Sequence, residues 1–215
     1  MVHVYHRRKI FEFPGRNLLR IALLFSGLLL LGSVFAADKN GSFAVRSAGM
    51  MTCEVFVKEK VEKSKSLNLY MGWIDGYISA ANQYTNDTFD LVPWGNTVLL
   101  ATLLESHCKV NPDQRFYIAV NQLVATLMQE RITEKTDFIE TKHGGNSTYL
   151  YRSVLVKVQE KLNEKGLFKG KTDGEFGDDT RLAIEAFQKS NKLQVTGLPD
   201  QLTLYKIFGG IGSRS

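Results

Sequence analysis

Apolar residues recur at intervals of three and four through much of this chain, and those intervals predict helices. Leu67, Tyr70, Ile74, Tyr77, Ile78 and Ala81 form one such stripe, broken by the polar stretch from Asn86-Asp87 to Pro93. Asn96 offers an N-cap for a helix over Val98–Ser106 that carries Leu99, Leu100, Leu103 and Leu104. Asn111-Pro112 reads as another start signal, a cap followed by proline at the first helical position. Phe116, Ala119, Val120, Leu123, Leu127 and Met128 continue that helix's apolar face. Residues 50–132 are therefore expected to form a small domain of three or four helices, preceded by a flexible polar stretch over residues 37–49.

The periodicity lapses between Thr133 and Tyr149, where Thr, Lys and Glu lead into His143-Gly144-Gly145-Asn146-Ser147. Residues 133–150 read as a linker. A second helical unit is expected over residues 151–209, with a tail at 210–215. Val154, Leu155, Val158 and Leu162 make one apolar face, and Gly166 supplies the C-terminal stop. A helix from Asp178 to Ser190 is expected to turn Leu182, Ala183, Ala186 and Phe187 inward, with Asp178 and Asp179 complementing the free N–H groups of its first turn. A short helix from Asp200 to Phe208 completes the set. The fold class expected is all-α, a small disulfide-tied helical domain followed by a three-helix domain.

Residues 1–36 break the amphipathic pattern and read as a signal peptide. A basic stretch ending at Arg20 precedes the apolar run Ile21–Leu31, and Val34 and Ala36 place small residues at the −3 and −1 positions for cleavage. The run falls short of the roughly 20 apolar residues a spanning helix wants. An uncleaved N-terminal anchor is the alternative. Either way the destination is the periplasm or the secreted cell envelope.

The charge changes the picture once it is located. The chain of 215 residues carries a formal net charge of +5, which invites nucleic acid as a partner. Arg7, Arg8, Lys9, Arg16 and Arg20 against Glu12 account for nearly all of it, leaving 22 basic and 21 acidic residues in the remainder. A nucleic-acid partner thereby loses its electrostatic support. Two cysteines, Cys53 and Cys108, form an even pair that an oxidising compartment would join. Two buried free thiols are the alternative. Beyond Ala36 there are only two histidines, His107 and His143, so neither a catalytic zinc nor any other metal or cofactor is expected.

The C-terminal unit contains an internal echo. Gly174-Glu-Phe-Gly-Asp-Asp-Thr180 and Gly197-Leu-Pro-Asp-Gln-Leu-Thr203 both place Thr six residues after Gly, at the start of a helix. Each glycine permits a turn with positive φ, and each Thr can offer its hydroxyl to backbone groups left unpaired there. Together with Val158-Gln159, Leu162, Gly166-Leu167, Asp173, Ala183-Ile184, Phe187-Gln188, Leu193, Thr196 and Asp200, these residues resemble the peptidoglycan-binding module often appended to cell-wall hydrolases. The resemblance covers about Ser153–Gly209. It implies a three-helix fold that holds wall glycopeptide without cleaving it, with peptidoglycan as partner. The candidate ligand-binding residues are Asp173, Phe176, Thr180, Phe187, Gln188, Thr196 and Asp200, with Phe168, Lys192 and Tyr205 at the rim. A small polar-rimmed hollow with aromatic flanks is what a sugar-peptide needs.

The first helical domain is similar, through Thr52-Cys53-Glu54, Gly72-Trp73-Ile74-Asp75-Gly76-Tyr77 and Cys108…Asn111-Pro112, to periplasmic acid-stress chaperones of the HdeA type and to type VI secretion immunity proteins of the Rap1a or Tai kind. That resemblance implies a protein client or partner. Catalytic constellations fail on their chemistry. Ser106-His107-Cys108 lacks the glycine of the transpeptidase motif, and a bridged sulfur is no nucleophile. His143-Gly144-Gly145 has no nucleophile elbow to serve, and Asp87 and Asp90 sit in a polar turn. The expected function is non-enzymatic, a wall-bound helical domain that acts by binding protein as chaperone, inhibitor or scaffold. The alternative is a small wall hydrolase or its accessory.

Overall fold

A computed structural model describes residues 38 and 42–208. The expected signal peptide and the tail at 210–215 lie outside the described residues. The chain divides into a unit over residues 1–43 and a compact unit over 44–215. Among the described residues no helix is long and apolar enough to cross a membrane.

The second unit begins with a turn of 3-10 helix over Ser47–Met50. The stretch read as flexible is thus ordered from about Ala44: Ala48 and Gly49 are buried, and the Trp73 indole N–H donates to the Arg46 carbonyl at 3.0 Å. A Cβ on Gly49 would sit 2.3 Å from the Trp73 ring, so the close approach of this turn requires glycine. Four helices follow: α1 (Cys53–Val61), α2 (Leu67–Tyr84), α3 (Thr97–Val110) and α4 (Phe116–Leu127). Their core is aromatic. Phe56, Tyr70 and Phe116 meet with ring centroids 4.6–5.2 Å apart. Cys53 and Cys108 are fully buried and joined as a disulfide, tying the first turn of α1 to the last turn of α3.

Asn96 caps α3 as its residue type predicts, its side chain accepting from the Leu99 N–H at 2.9 Å. Asn111-Pro112 does not start a helix. Asn111 ends α3, its amide N–H bonded to the Cys108 carbonyl and its side chain donating to the His107 carbonyl. The loop that follows is used elsewhere. The Pro112 and Gln114 carbonyls accept from Glu54 and Cys53, the first N–H groups of α1. Those donors have no partner within their own helix, so the loop serves α1 by staying extended.

The segment expected as a linker is a β-hairpin, and the fold is therefore mostly helical with a two-stranded sheet rather than purely α. Strands β1 (Phe138–His143) and β2 (Asn146–Tyr151) pair antiparallel, with Phe138 opposite Tyr151 and His143 opposite Asn146. Gly144 and Gly145, at φ +57° and +78°, form the two-residue turn. That geometry needs positive φ at both positions and matches the twist of the strands. Thr141 and Leu150 point inward and are buried, while Phe138, Glu140, Lys142, Ser147 and Tyr149 line the outer face.

Three more helices complete the unit: α5 (Arg152–Glu164), α6 (Asp178–Ser190) and α7 (Gln201–Phe208). Gly166 (φ +71°) stops α5 as expected. On α6 the inward stripe is Thr180, Ala183, Ile184, Phe187 and Gln188. Leu182 and Ala186, expected inside, are exposed. The two helical groups share one continuous core. Gln201 of α7 accepts from the Asn96 N–H at 2.9 Å and donates to the Trp94 carbonyl at 2.8 Å, and the Trp94 and Phe208 rings pack 5.7 Å apart. Lys157 of α5 donates to the carbonyl of Glu130 at 2.9 Å and pairs with its carboxylate. The C-terminal helices are docked on the N-terminal ones, not strung from them.

Candidate functional site in the C-terminal module

Two buried glutamines organise the module. Gln159 lies on the inner face of α5, where its side-chain oxygen accepts from the Gly174 N–H at 2.8 Å. Its amide donates to the Glu175 carbonyl at 3.0 Å and to the Thr180 hydroxyl at 2.9 Å. Gln188 on α6 repeats the device one turn later. Its oxygen accepts from the N–H groups of Thr196 and Gly197, both at 2.9 Å. Its amide nitrogen lies 2.8–3.0 Å from the Thr196 hydroxyl, the Leu198 carbonyl and the Thr203 hydroxyl, three acceptors that share its two N–H groups. In each case a helix sends one primary amide under the following turn, and the buried glycine N–H that opens the turn, Gly174 or Gly197, is paired.

This explains the echo in the sequence. The repeated Gly and Thr are the two ends of a turn, and the glutamine pins both. Gly174 (φ +74°) and Gly197 (φ +68°) take the left-handed conformation that L side chains avoid. A Cβ on Gly174 would lie 2.9 Å from the Arg152 carbonyl oxygen, so the turn also rests directly on the start of α5. Gln159 was visible in the sequence as part of Val158-Gln159 but carried no site role there. Its signal is that Gln-before-Gly recurs, at fifteen residues in the first copy and nine in the second.

The seven candidate ligand residues fall into two clusters around these amides. Thr180 belongs to the first: it is buried, and its hydroxyl also donates to the Glu175 carbonyl at 3.2 Å. Asp173 sits on the outside of the same turn, its carboxylate accepting from the Glu175 N–H at 3.0 Å, and Phe176 is half-buried against the core. Gln188, Thr196 and Asp200 form the second cluster. Asp200 caps α7, accepting from the N–H and hydroxyl of Thr203, and its other carboxylate oxygen accepts from the Thr196 hydroxyl at 2.7 Å. Phe187 is buried in the core between them. Of the rim residues, Lys192 is exposed at a positive-φ position, whereas Phe168 is buried. Tyr205 faces the other way, toward a cleft of about 430 Å³ between α3 and α4 that Leu103, His107 and Leu123 also line.

Beside the first turn lies an open hollow of about 720 Å³, lined by Glu160, Asn163, Glu164 and the loop from Gly170 to Asp173. It is polar, and Asp173 is the candidate residue that reaches it. The second turn is bounded by α6 and the hairpin tip. Arg181 bridges Asp178 and Glu185, which hold its guanidinium above its ordinary pKa, and the His143 imidazole lies 3.8 Å from the same Glu185 oxygen. Among the described residues no group of three or more His, Cys, Asp or Glu side chains is placed to hold a metal ion.

Residues 152–207 match the family described as putative peptidoglycan binding domain, and the C-terminal part of the chain is similar to modules of that kind. The match supports peptidoglycan as a partner and suggests a cell-envelope or extracellular location. No curated protein and no solved structure matches the chain.

Proposed function

We propose that this is a non-enzymatic protein of the periplasm or secreted cell envelope that binds peptidoglycan through residues 152–207 and holds its N-terminal helical domain at the wall to bind another protein. The observation that carries the reading is the family match over the segment whose turns are pinned by Gln159 and Gln188. The ligand surface follows the outer edges of the two turns. Asp173, Phe176, Thr196 and Asp200 present polar and aromatic groups there, and Thr180, Phe187 and Gln188 support them from below.

The docking of the two helical groups supports a holding role. A domain fixed to the module through Trp94, Gln201 and Phe208 takes up a defined orientation when the module binds. The resemblance of the first domain to HdeA-type chaperones and to Rap1a or Tai immunity proteins supports a protein as its partner, whether client, target or scaffold component. Val61, Tyr84, Val98 and Val110 are exposed apolar residues on its helices and suit such contacts.

The test is incubation of the full chain with dye-labelled, purified cell wall. Protein and dye are both expected in the pellet after centrifugation. Dye released to the supernatant identifies a hydrolase and overturns the non-enzymatic reading. Protein left in the supernatant overturns wall binding.

A further inference from the structure

The outer face of the β1–β2 hairpin carries an exposed pair of aromatic rings. Phe138 and Tyr149 are 51% and 58% exposed, with near-parallel rings (17°) whose centroids lie 6.3 Å apart. Neither ring is loose. Phe138 packs edge-on against buried Tyr151 at 5.2 Å, and the Tyr149 hydroxyl donates to Glu140 at 2.7 Å. Lys142 pairs with the other Glu140 oxygen at 2.8 Å, and Ser147 stands opposite Lys142 in the strand register. Single exposed apolar residues are ordinary on any protein. A held pair of aromatic faces ringed by a carboxylate, an ammonium and hydroxyls is not.

We infer that this face is a platform for a neutral polysaccharide, the glycan strand of peptidoglycan, an inference that rests on the wall-binding reading above. A pyranose is amphipathic in the same way as the platform. The C–H groups of one ring face pack on an aromatic face, and its equatorial hydroxyls and acetamido groups seek donors and acceptors at the edge. Glu140, Lys142 and Ser147 supply both kinds within reach of the rings. The charge decides between the two halves of the wall polymer. Glu140 and Lys142 neutralise each other, so the platform matches an uncharged sugar chain and offers no net charge to an ionised stem peptide. The platform is also rigidly joined to the module. β2 runs directly into α5, Thr141 and Leu150 fix the hairpin's inner face, and His143 rests beside Glu185 on α6. A strand lying on the hairpin therefore lies on the same compact unit that carries the two pinned turns.

The probe is a soluble tetramer of β-1,4-linked N-acetylglucosamine, titrated calorimetrically into the full chain. Binding is expected, and Tyr149→Ala should weaken it roughly tenfold, the loss of one stacked ring. Phe138→Ala should do the same, and Tyr149→Phe should bind within a few-fold of the parent. Ring-proton shifts of Phe138 and Tyr149 in the unaltered protein on adding the tetramer make the same test without a substitution. Unchanged affinity in Tyr149→Ala, or unshifted ring protons, overturns the platform. So does binding of free stem peptide with no binding of the tetramer. Retention on whole wall distinguishes the cases: a chain that pellets with wall but ignores the tetramer loses only this inference, and one that ignores both loses the wall-binding reading as well.

Discussion

Replacing Gln188 with alanine should be among the most damaging single changes in the module. The side chain is fully buried and bonds to both ends of the second turn. Its removal leaves the Gly197 N–H without a partner and takes one partner each from the Thr196 N–H, which also donates to the Gln194 carbonyl at 3.1 Å, and the Leu198 carbonyl, which also accepts from the Asp200 N–H at 2.8 Å, while the hydroxyls of Thr196 and Thr203 keep Asp200 as acceptor. Each buried backbone group left unpaired costs about 1–3 kcal/mol. With the weakened bonding of Thr196 and Leu198 added at about 0.5–1.5 kcal/mol each, the expected total is about 2–4 kcal/mol. Against a domain stability of about 5–15 kcal/mol that is a large fraction. Gln159→Ala, which orphans the Gly174 N–H and leaves the Glu175 carbonyl only the Thr180 hydroxyl, should cost about 1–3 kcal/mol. Gln188→Glu separates the two halves of the argument. It keeps an acceptor for the two N–H groups but loses the amide donors, and it sets a carboxylate 3.4 Å from Asp200. Its deficit should shrink on acidification, when one of the two carboxylates takes a proton. Urea denaturation of the full chain measures all three, with exposed Gln194→Ala as a control expected within about 0.5 kcal/mol of the parent. A loss below about 1 kcal/mol in Gln188→Ala would refute the pinned-turn account.

Three further outcomes follow from the same structure. Reducing the Cys53–Cys108 disulfide, which closes a loop of 55 residues, should lower stability by about 4 kcal/mol, seen as a shift of the urea midpoint when reductant is added. Gly166→Ala and Gly174→Ala should differ although both positions have positive φ. The first opens onto free space and should cost only the roughly 1–2 kcal/mol of the left-handed conformation. The second adds a clash with the Arg152 carbonyl and should cost more, which paired melting curves will show. Burial pushes the Asp90 carboxyl above its ordinary range, against the opposing pull of the Val92 N–H and Asn82. The folded state therefore binds that proton more tightly than the unfolded state. The stability this gives is present below the ordinary carboxylate range and is lost as pH rises through the raised value. Asp90→Asn keeps an oxygen for Val92 and removes the loss, so it should be more stable than the parent at neutral pH, with the gap closing on acidification. A pH-independent gap in the denaturation midpoints would contradict that assignment.

The helices were legible where one physical signal dominated. α6 runs from Asp178 to Ser190 as its acidic first turn predicts, and α3 starts where Asn96 can cap it. Leu182 was misread because the inner stripe of α6 contains two polar residues, Thr180 and Gln188, that hydrophobic periodicity discounts. They are inside because they bond to turns, which no local pattern reports. Asn111-Pro112 carried a helix-start signal that lost to a tertiary demand, the capping of α1 by the Pro112 and Gln114 carbonyls. The hairpin was hidden by its polarity. Its inward residues include Thr141 and Thr148 rather than a run of Val or Ile, and the available sign was Gly144-Gly145 spaced for a two-residue turn. At the candidate site the glycine turns at Gly174 and Gly197 were legible as turns. What the sequence did not show was that Gln188, Thr180 and Phe187 lie beneath them, since burial is decided by the packing of α5, α6 and α7 together.

Hydrogen exchange of the full chain with soluble wall fragments tests directly whether residues 152–207 contact peptidoglycan. Added fragments should slow exchange in the turns around Gly174 and Gly197, with the core of α1–α4 unchanged. Slowed exchange confined to α1–α4, or no change anywhere within residues 152–207, would contradict the account.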